Sequence, residues 1–404
     1  MKYEDYVELG YRPGKDDVVC EFFVEPLGIS VEKAAGGIAA ESSIGTWTDT
    51  TTTKPYMERL SAKVFGIRGN NIKIAYSIEL FEPGNMPNIL SSVAGNVFGL
   101  KDLKNLRLND IRLPEKLLRS FKGPKYGIEG IRKILKIPKR PLLGTIVKPK
   151  LGLKTEDHAK VAYEAWVGGC DIVKDDENLS SQSFNKFENR LKKTFKAKQK
   201  AEKETGEKKV YMINITAETE EMMRRAKLVE SFGNEYVMID IITAGWSALQ
   251  TLRNKDFDLV LHAHRAGHAA FTKNPKHGIS MKVIARIARI VGVDQLHVGT
   301  AVGKMYETKK EVSENCAALK EKTGKFKQVM PVASGGLQPR HIPELVKIFG
   351  RDVVIQMGGG IHGLGTLIGA KAAKQAVEAV MQNIPLKEYA KKHRELSVAL
   401  KKWK

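Results

Sequence analysis

The sequence has few of the features that mark secreted, membrane-bound or disulfide-stabilised proteins. Its three cysteines, Cys20, Cys170 and Cys316, are odd in number and widely spaced, so neither a disulfide framework nor a zinc site is expected. No apolar run reaches the roughly 18 residues of a membrane-spanning helix, and the N-terminus lacks the apolar region of a signal peptide. We therefore expect a cytoplasmic protein without a membrane partner.

Acidic residues are scarce relative to basic ones, which gives a formal net charge of +21. The densest basic run, 190–209, is interleaved with glutamates and predicts an exposed helix, and no aromatic residues interleave with a basic patch. The pattern favours a solvated lysine-rich surface and an anionic small substrate over nucleic acid. One alternative stays open: a basic protein that binds nucleic acid or phosphate and keeps the barrel fold predicted below without its enzymatic activity. This alternative predicts strongly salt-dependent RNA binding.

The first part of the chain, residues 1–118, predicts a small α+β domain. A strand is expected at 18–26, a helix at 31–42, and β-prone runs at 62–80 that are broken by the turn Gly69-Asn70-Asn71. Two loops, 41–48 and 95–99, are rich in hydroxyl groups or glycine. Taken alone, each is more typical of a turn than of a functional site.

From residue 140 onward, short β-branched runs alternate with helix-length amphipathic segments. Eight βα units over roughly 250 residues are typical of a (β/α)8 (TIM) barrel, which we predict for 119–404 in preference to an open doubly wound sheet. The predicted helices include 155–167, 218–232 and 340–349, and 370–404 predicts helices that pack outside the barrel. The predicted strands are 142–147, 171–174, 210–215, 236–241, 259–264, 295–298, 329–333 and 353–357.

Polar or glycine-rich residues follow seven of these strands, and barrel enzymes carry their chemistry at that end. Strand two ends in Lys174-Asp175-Asp176-Glu177. Because side chains alternate along a strand, Lys174 and Asp176 are expected on one side and Asp175 on the other, where it would contribute least. Two carboxylates at a strand end suit Mg²⁺, although a solvated acidic turn explains this segment equally well when it is taken alone.

Two further groups of strand ends suggest anion binding. Glycine-rich segments follow strands seven and eight, where barrels commonly bind phosphate with backbone N–H groups, and Arg265 and His297 could hold a second anion. A bisphosphate across the barrel mouth is the substrate that this arrangement predicts. The glycine-hinged segment 299–305, which carries Lys304, predicts a closing lid or, alternatively, a plain surface loop.

Eight stretches are long or specific enough for comparison with known families: 41–47, 95–99, 148–152, 168–178, 262–268, 297–304, 334–336 and 356–360. With these stretches, nearly the whole chain resembles the large subunit of ribulose-1,5-bisphosphate carboxylase/oxygenase (RuBisCO), particularly its archaeal form III branch. The resemblance implies a TIM barrel behind a ferredoxin-like α+β domain. It also implies addition of CO₂, or of competing O₂, to ribulose 1,5-bisphosphate, with two molecules of 3-phosphoglycerate as the carboxylation product.

The same resemblance implies a role for each matching residue. Lys174, carbamylated by an activator CO₂, would hold Mg²⁺ with Asp176 and Glu177 and would take the C3 proton while Mg²⁺ stabilises the enediolate. Lys148 would protonate the product. The other implied catalytic residues are Lys150, His264, Lys304 and Glu41. The implied substrate-binding residues are Thr46, Trp47, Asn96, Arg265, His297, Ser334, Gly335, Gly336, Gly358 and Gly359.

The resemblance also implies an assembly and leaves one alternative open. Glu41 and Asn96 would reach the barrel of a neighbouring subunit, so a homodimer or a ring of dimers without a small subunit is expected. The archaeal branch favours salvage of the ribose of nucleotides such as AMP. A RuBisCO-like enolase or isomerase of sulfur salvage is the alternative, which the presence of Lys148, Lys304, His264 and Glu41 disfavours.

Three departures from the family pattern set further expectations. Segment 305–308, Met-Tyr-Glu-Thr, lacks the glycine that usually follows Lys304, so we expect a stiffer lid. Segment 360–365 is about two residues short, so we expect a reshaped rim beside an intact phosphate site. Gly267 replaces a common methionine and leaves space behind His264 that a neighbour must fill.

Overall fold

The protein, described here by a computed structural model of residues 2–403, forms two compact units. The first unit contains the chain up to Lys122 together with Gly267–Val291 and Thr323–Lys325. The second contains Gly123–Ala266, Gly292–Lys322 and the chain from Phe326 onward. Segment 267–291 thus groups with the first unit, although the predicted second domain ran without interruption from 119 to 404.

The described residues form thirteen strands and seventeen α-helices. The strands are β1 (Asp17–Pro26), β2 (Lys63–Arg68), β3 (Asn71–Ser77), β4 (Leu103–Arg112), β5 (Leu142–Ile146), β6 (Ile172–Lys174), β7 (Val210–Asn214), β8 (Tyr236–Asp240), β9 (Val260–His264), β10 (Gly278–Ile279), β11 (Gln295–His297), β12 (Met330–Ser334) and β13 (Val354–Met357). The helices are α1 (Val31–Glu41), α2 (Met86–Val93), α3 (Glu115–Leu118), α4 (Gly127–Leu135), α5 (Thr155–Val167), α6 (Phe187–Thr205), α7 (Thr219–Ser231), α8 (Ile241–Ala244), α9 (Trp246–Asn254), α10 (Ala269–Thr272), α11 (Met281–Val291), α12 (Lys309–Lys320), α13 (Ile342–Phe349), α14 (Gly359–His362), α15 (Thr366–Met381), α16 (Leu386–Tyr389) and α17 (Arg394–Lys402).

The first unit is built on a mixed sheet with the strand order β10-β4-β1-β3-β2. Strand β1 alternates buried and partly exposed side chains, as a strand with one face on a core does. Its neighbours β3 and β4 run antiparallel to it, whereas β10 pairs in parallel with β4. Ion pairs connect segment 267–291 to the sheet. Asp110 on β4 accepts hydrogen bonds from Lys282 at 2.6 Å and from Arg286 at 2.5 Å, both on α11. The predicted α+β class is confirmed.

The second unit is a closed parallel barrel with the order β11-β12-β13-β5-β6-β7-β8-β9. All eight predicted barrel strands are present, within one or two residues of their expected bounds. Side chains of these strands form a buried apolar core, and α4 contributes Ile128, Ile131 and Leu135 to it. The predicted helices at 155–167, 218–232 and 340–349 correspond to α5, α7 and α13, and α15 to α17 supply the expected C-terminal helices up to residue 402.

The prediction of an exposed helix for 190–209 is wrong in part. Helix α6 does occupy most of this run, but Arg190, Lys198 and Lys209 have at most 1% of their surface exposed. Each buried cation has an acidic neighbour, such as Glu235 Oε2 at 3.4 Å from Lys198 Nζ. Burial of a charge is costly unless it is paired, and alternation of Lys and Glu in the sequence does not show which members of the run are buried. No helix among the described residues has the length and apolar character needed to cross a membrane.

Candidate active site

The parallel pairing of the barrel strands brings the predicted strand-end residues to one mouth of the second unit. Parallel strands of a closed barrel end at the same rim, which is where barrel enzymes build their sites. The residues that lie at this rim or on the loops leaving it are Lys148, Lys150, Lys174, Asp176, Glu177, His264, Arg265, His297, Lys304, Ser334, Gly335, Gly336, Gly358 and Gly359.

Lys174 is the last residue of β6, and its side chain is fully buried. Its Nζ donates to the carbonyl oxygen of Asp175 at 2.7 Å and lies 3.6 Å from Glu177 Oε2. Lys148, which follows β5, donates to Asp176 Oδ2 at 2.7 Å. The predicted lysine and both predicted carboxylates therefore lie together, with a second lysine beside them, whereas Lys150 is exposed to solvent.

Burial and charge shift the protonation of these groups in a consistent direction. Burial lowers the pKa of Lys174, and the nearby carboxylates only partly offset this effect. Burial alone would raise the pKa of Asp176, but hydrogen bonds from Lys148 and Asn178 outweigh it and lower the pKa. The pKa of Glu177 is likewise lowered, because Lys174 and His264 outweigh the effect of burial. The site thus favours ionised carboxylates beside a lysine that gives up its proton more readily than usual.

His264, at the end of β9, lies on the other side of Glu177. Its Nε2 is 3.6 Å from Glu177 Oε2, and its Nδ1 accepts a hydrogen bond from the backbone N–H of Ala266 at 3.2 Å. Accepting at Nδ1 places the ring proton of a neutral imidazole on Nε2, which faces the carboxylate. His264 is therefore placed to exchange a proton at the mouth.

A chain of hydrogen bonds runs from the barrel interior to the rim through two histidines. Gln295 Oε1 lies 2.9 Å from His262 Nδ1, and the Nε2 atoms of His262 and His297 are 2.9 Å apart. His297 Nδ1 is 2.7 Å from Ser334 Oγ. Both ring nitrogens of His297 are thus engaged, and burial lowers its pKa well below the usual value. A direct contact from His297 to an anion would require one of these bonds to open.

Arg265 has a carboxylate partner that the sequence analysis did not anticipate. Its Nη2 donates to Glu307 Oε1 at 2.5 Å, and both side chains are almost fully buried. Glu307 belongs to segment 305–308, where this chain departs from the family pattern. A carboxylate two residues beyond the predicted lid therefore pairs with the arginine that was expected to bind a phosphate.

The predicted lid lies on the glycines that follow β12. The Lys304 N–H donates to the Gly335 carbonyl at 3.3 Å, and Lys304 itself is exposed. A Cβ on Gly336 would lie 2.8 Å from Lys304 Cγ, so glycine is needed for this close approach. The loop ends at Thr308, whose side chain accepts from the Glu311 N–H and caps α12.

The segment after β13 contains the predicted glycines and a partly buried histidine, His362. A Cβ on Gly358 would lie 3.2 Å from Lys148 Cε, so the bare backbone leaves room for that lysine. His362 in α14 has its Nε2 2.9 Å from the carbonyl oxygen of Ile146 and its Nδ1 3.0 Å from Thr366 Oγ1. Burial lowers the pKa of His362 to about 4. The histidine joins the segment after β13 to strand β5, and the reshaped rim expected here stays a prediction.

The remaining predicted site residues belong to the first unit. Glu41 ends α1 and accepts a hydrogen bond from the Tyr3 hydroxyl at 3.0 Å. Thr46 and Trp47 lie in the loop after α1, where Trp47 is 82% exposed, and Asn96 is exposed at the start of a 3₁₀ turn. Their expected reach to a neighbouring subunit stays a prediction.

The Asp175 side chain points away from those of Lys174 and Asp176, as expected, but it has several buried partners. Its carboxylate is fully buried and contacts Tyr211, Arg190, His158 and the backbone of Asn214. The sequence analysis did not anticipate these buried contacts, and the expectation that Asp175 contributes least to the site stays a prediction. The sequence did hold a signal: His158 lies on the face of α5 that also buries Ala162, Ala165 and other small residues.

The side chains at the mouth supply an incomplete set of metal ligands. Among residues 2–403, no three His, Cys, Asp or Glu side chains are grouped as a metal site requires. Asp176 and Glu177 supply two hard oxygen ligands, so a third donor must come from elsewhere. An oxygen attached to Lys174 Nζ would lie near Glu177. The residues therefore fit a hard divalent cation when Lys174 carries such an oxygen.

Comparison with known proteins identifies the family of both parts of the chain. Residues 127–403 match the family model for the ribulose bisphosphate carboxylase large chain, catalytic domain, and residues 5–117 match its N-terminal domain. A ribulose bisphosphate carboxylase of Methanosarcina barkeri is 51% identical over 422 residues, which covers 99% of each chain. One of Pyrococcus furiosus is 50% identical over 409 residues, covering 99% of this chain and 97% of the relative.

Solved structures give the same result. An octameric ribulose-1,5-bisphosphate carboxylase/oxygenase of Pyrococcus horikoshii, in complex with sulfate, superposes with a TM-score of 0.96 at 48% identity and covers 100% of this chain and 97% of its own. A dimeric archaeal Rubisco of Hyperthermus butylicus gives a TM-score of 0.93 at 47% identity, with 99% of each chain covered. Sequence and structure together show that this chain belongs to the ribulose bisphosphate carboxylase large-chain family, whose named archaeal relatives are carbon–carbon lyases.

Proposed function

We propose that the protein is a ribulose-1,5-bisphosphate carboxylase, with oxygenation as a competing reaction. It would add CO₂ to ribulose 1,5-bisphosphate and cleave the product to two molecules of 3-phosphoglycerate. The observation that carries this proposal is the buried Lys174 between two ionised carboxylates, with Lys148 Nζ 2.7 Å from Asp176 Oδ2. Membership of the family and the printed names of its relatives support it.

Activation would begin at Lys174. Because burial lowers its pKa, the neutral amine is accessible, and its nitrogen lone pair can attack CO₂ and release a proton. The resulting carbamate is negatively charged and carries the missing oxygen ligand. With carbamylated Lys174, Asp176 and Glu177 as ligands, a bound Mg²⁺ would supply positive charge that stabilises developing negative charge on the substrate oxygens.

The other residues of the mouth would then move protons and hold charge. The Lys174 carbamate would take the C3 proton, His264 would exchange protons during hydration, and Lys148 would protonate the C2 carbon of the product. Lys150 would tune the carbamate and Lys148. Lys304 would stabilise the new carboxylate when the lid is closed.

Two groups of residues would bind the phosphates of the substrate. Ser334 and Arg265 would contact the distal phosphate and nearby hydroxyl groups, together with His297. Arg265 must then exchange Glu307 for the phosphate, a swap of one anion for another that keeps the buried guanidinium paired. Backbone N–H groups would bind the other phosphate. This second group is Gly335, Gly336, Gly358, Gly359, Thr46 and Trp47.

We further infer a homodimer or a ring of dimers, without a small subunit, as the active assembly. Glu41 and Asn96 lie in the first unit, and solved relatives are described as dimeric and octameric.

We place the reaction in the salvage of nucleotide ribose, because the matched relatives are archaeal. A strain that lacks this chain should then lose growth on nucleosides; unchanged growth would contradict salvage without touching the chemistry.

One assay tests the central proposal. The protein, preincubated with CO₂ and Mg²⁺, should fix ¹⁴CO₂ into acid-stable 3-phosphoglycerate when ribulose 1,5-bisphosphate is added. Lys174→Ala should reduce this rate by about 10²–10⁴-fold, as expected for loss of a general base. Lys193→Ala, on the exposed side of α6, serves as the matched control and should leave the rate unchanged. Exchange of the substrate C3 proton without ¹⁴CO₂ fixation would instead indicate an enolase or isomerase of the same fold.

A further inference from the structure

Asp175, which stands between Lys174 and Asp176 in the chain, directs its carboxylate into a buried polar cluster. Its Oδ1 accepts from the Tyr211 hydroxyl at 2.8 Å and lies 3.1 Å from His158 Nε2. Its Oδ2 accepts from Arg190 Nε at 3.0 Å and from the Asn214 N–H at 3.1 Å. These five residues have at most 1% of their surface exposed. None of them is needed to touch the substrate in the mechanism above.

Arg190 connects this cluster to the segment that follows the predicted metal ligands. Its Nη1 donates to the carbonyl of Asn185 at 2.8 Å and its Nη2 to the carbonyl of Ser180 at 2.6 Å. A guanidinium without exposure to water needs a negative partner, and Asp175 supplies it. The charge of Asp175 therefore stabilises the buried guanidinium that holds the two carbonyl groups.

Asn214, at the end of β7, makes the second connection. Its backbone N–H is held by Asp175, while its side-chain Nδ2 donates to the carbonyls of Glu177 and Leu179, each at 3.0 Å. Residues 175–186 contain no helix or strand, so these hydrogen bonds replace the regular ladder that would otherwise fix the backbone. The two carboxylates expected to bind metal thus belong to a loop whose backbone is held by hydrogen bonds from Asn214 and Arg190.

We propose that Asp175 is a positioning residue for the metal site, which acts through Arg190 and Asn214 to fix the backbone that carries Asp176 and Glu177. The inference rests on the proposed function, because it takes these two carboxylates as the Mg²⁺ ligands. Groups that orient metal ligands commonly change metal affinity by about 10–100-fold when they are replaced. A purely structural role would lower stability and leave that affinity unchanged.

Asp175→Asn is the main test, because it keeps the shape of the side chain while removing the charge. The matched control is Asp294→Asn, which removes a similar buried carboxylate before β11, at the opposite end of the strands. Asp294 pairs with Arg253 Nη2 at 2.6 Å and accepts from the backbone N–H groups of Tyr126 and Leu261. Both variants should lose thermal stability. The affinity for Mn²⁺ in the presence of bicarbonate, measured from the electron paramagnetic resonance signal of free Mn²⁺, should fall about 10-fold or more only in Asp175→Asn.

Tyr211→Phe keeps the proposal testable if Asp175→Asn fails to fold, since it removes a single hydrogen bond to Asp175. It should weaken Mn²⁺ binding by about 2- to 10-fold, whereas Tyr236→Phe, a buried tyrosine on β8, should not change it. Unchanged Mn²⁺ affinity in the folded variants would overturn the proposal. If the wild-type protein fixes no ¹⁴CO₂, the carboxylase proposal fails, yet an Asp175-dependent Mn²⁺ affinity would still support the positioning role.

Discussion

Several charged residues at the barrel mouth are buried, unlike most charged residues of this lysine-rich chain. Lys174, Asp175 and Asp176 have at most 1% of their surface exposed, whereas most lysines are solvated. A charged group in such surroundings needs a partner or shifts its pKa, and here both occur. The lowered pKa of Lys174 is therefore a consequence of burial, and Lys174 is buried at the end of β6, between its paired neighbours β5 and β7.

His362 provides a pH-dependent prediction at this scale. Burial lowers its pKa to about 4, so the folded protein keeps this ring neutral while the unfolded chain binds a proton below about pH 6.5. The stability that the neutral ring provides is present above about pH 6.5 and is lost as the pH falls through about 4, by roughly 2–3 kcal/mol. His362→Gln should remove this part of the acid sensitivity, measured as thermal unfolding between pH 7 and pH 4. An unchanged pH profile would contradict the assignment.

At the scale of elements, the lid between β11 and α12 shows how sequence departures are accommodated. The glycine usually found after Lys304 is absent, but Thr308 now caps α12 in a capping box with Glu311. Glu307 turns inward to Arg265, and the backbone of Lys304 bonds to Gly335. The loop is thus held by three sets of contacts, and the expectation of a stiffer lid stays a prediction.

Gly335→Ala should displace this lid. Gly335 has a φ of +124°, and a Cβ there would lie 2.4 Å from Met305 Cγ, so the substitution adds a clash to backbone strain of about 1–3 kcal/mol. The displaced lid should be cut faster by a protease at Lys304. Gly206→Ala is the matched control, because its φ is +68° but its Cβ would meet open space. Equal cleavage of the lid in both variants and the wild type would argue against the contact.

At the scale of the whole molecule, the predicted site residues are divided between two units. The barrel carries the lysines, carboxylates and glycines of the mouth, and the first unit carries Glu41, Thr46, Trp47 and Asn96. If a neighbouring subunit completes the site, as proposed, residues of the site are expected outside the barrel. An isologous dimer contains two such shared sites.

Subunit mixing tests this arrangement. Glu41→Ala and Lys174→Ala variants should each be inactive, but co-expression should restore roughly a quarter of wild-type carboxylation, because half of the dimers are mixed and each mixed dimer has one intact site. The measurement is ¹⁴CO₂ fixation by the unfractionated co-expressed protein, and tag-purified mixed dimers should show about half of the wild-type activity. Mixed dimers without activity would show that Glu41 serves the barrel of its own chain.

Much of the architecture follows from local pattern. Eight β-branched runs between helix-length segments predict the barrel, and the strands occur where expected because strand periodicity and turn residues act over short distances. The grouping of segment 267–291 with the first unit was not predictable in this way. It depends on contacts such as those of Asp110 with Lys282 and Arg286, which join residues far apart in the sequence.

The sequence alone therefore determined the family, the barrel and the identity of the residues at its mouth, since these depend on residue type, order and spacing. Only the tertiary structure decided how those residues are supported. It paired Arg265 with Glu307, engaged both nitrogens of His297, and made Asp175 the centre of a buried ionic cluster. The physical reason is that a charge must be compensated once it is removed from water, and its partner is chosen by proximity in space rather than in sequence.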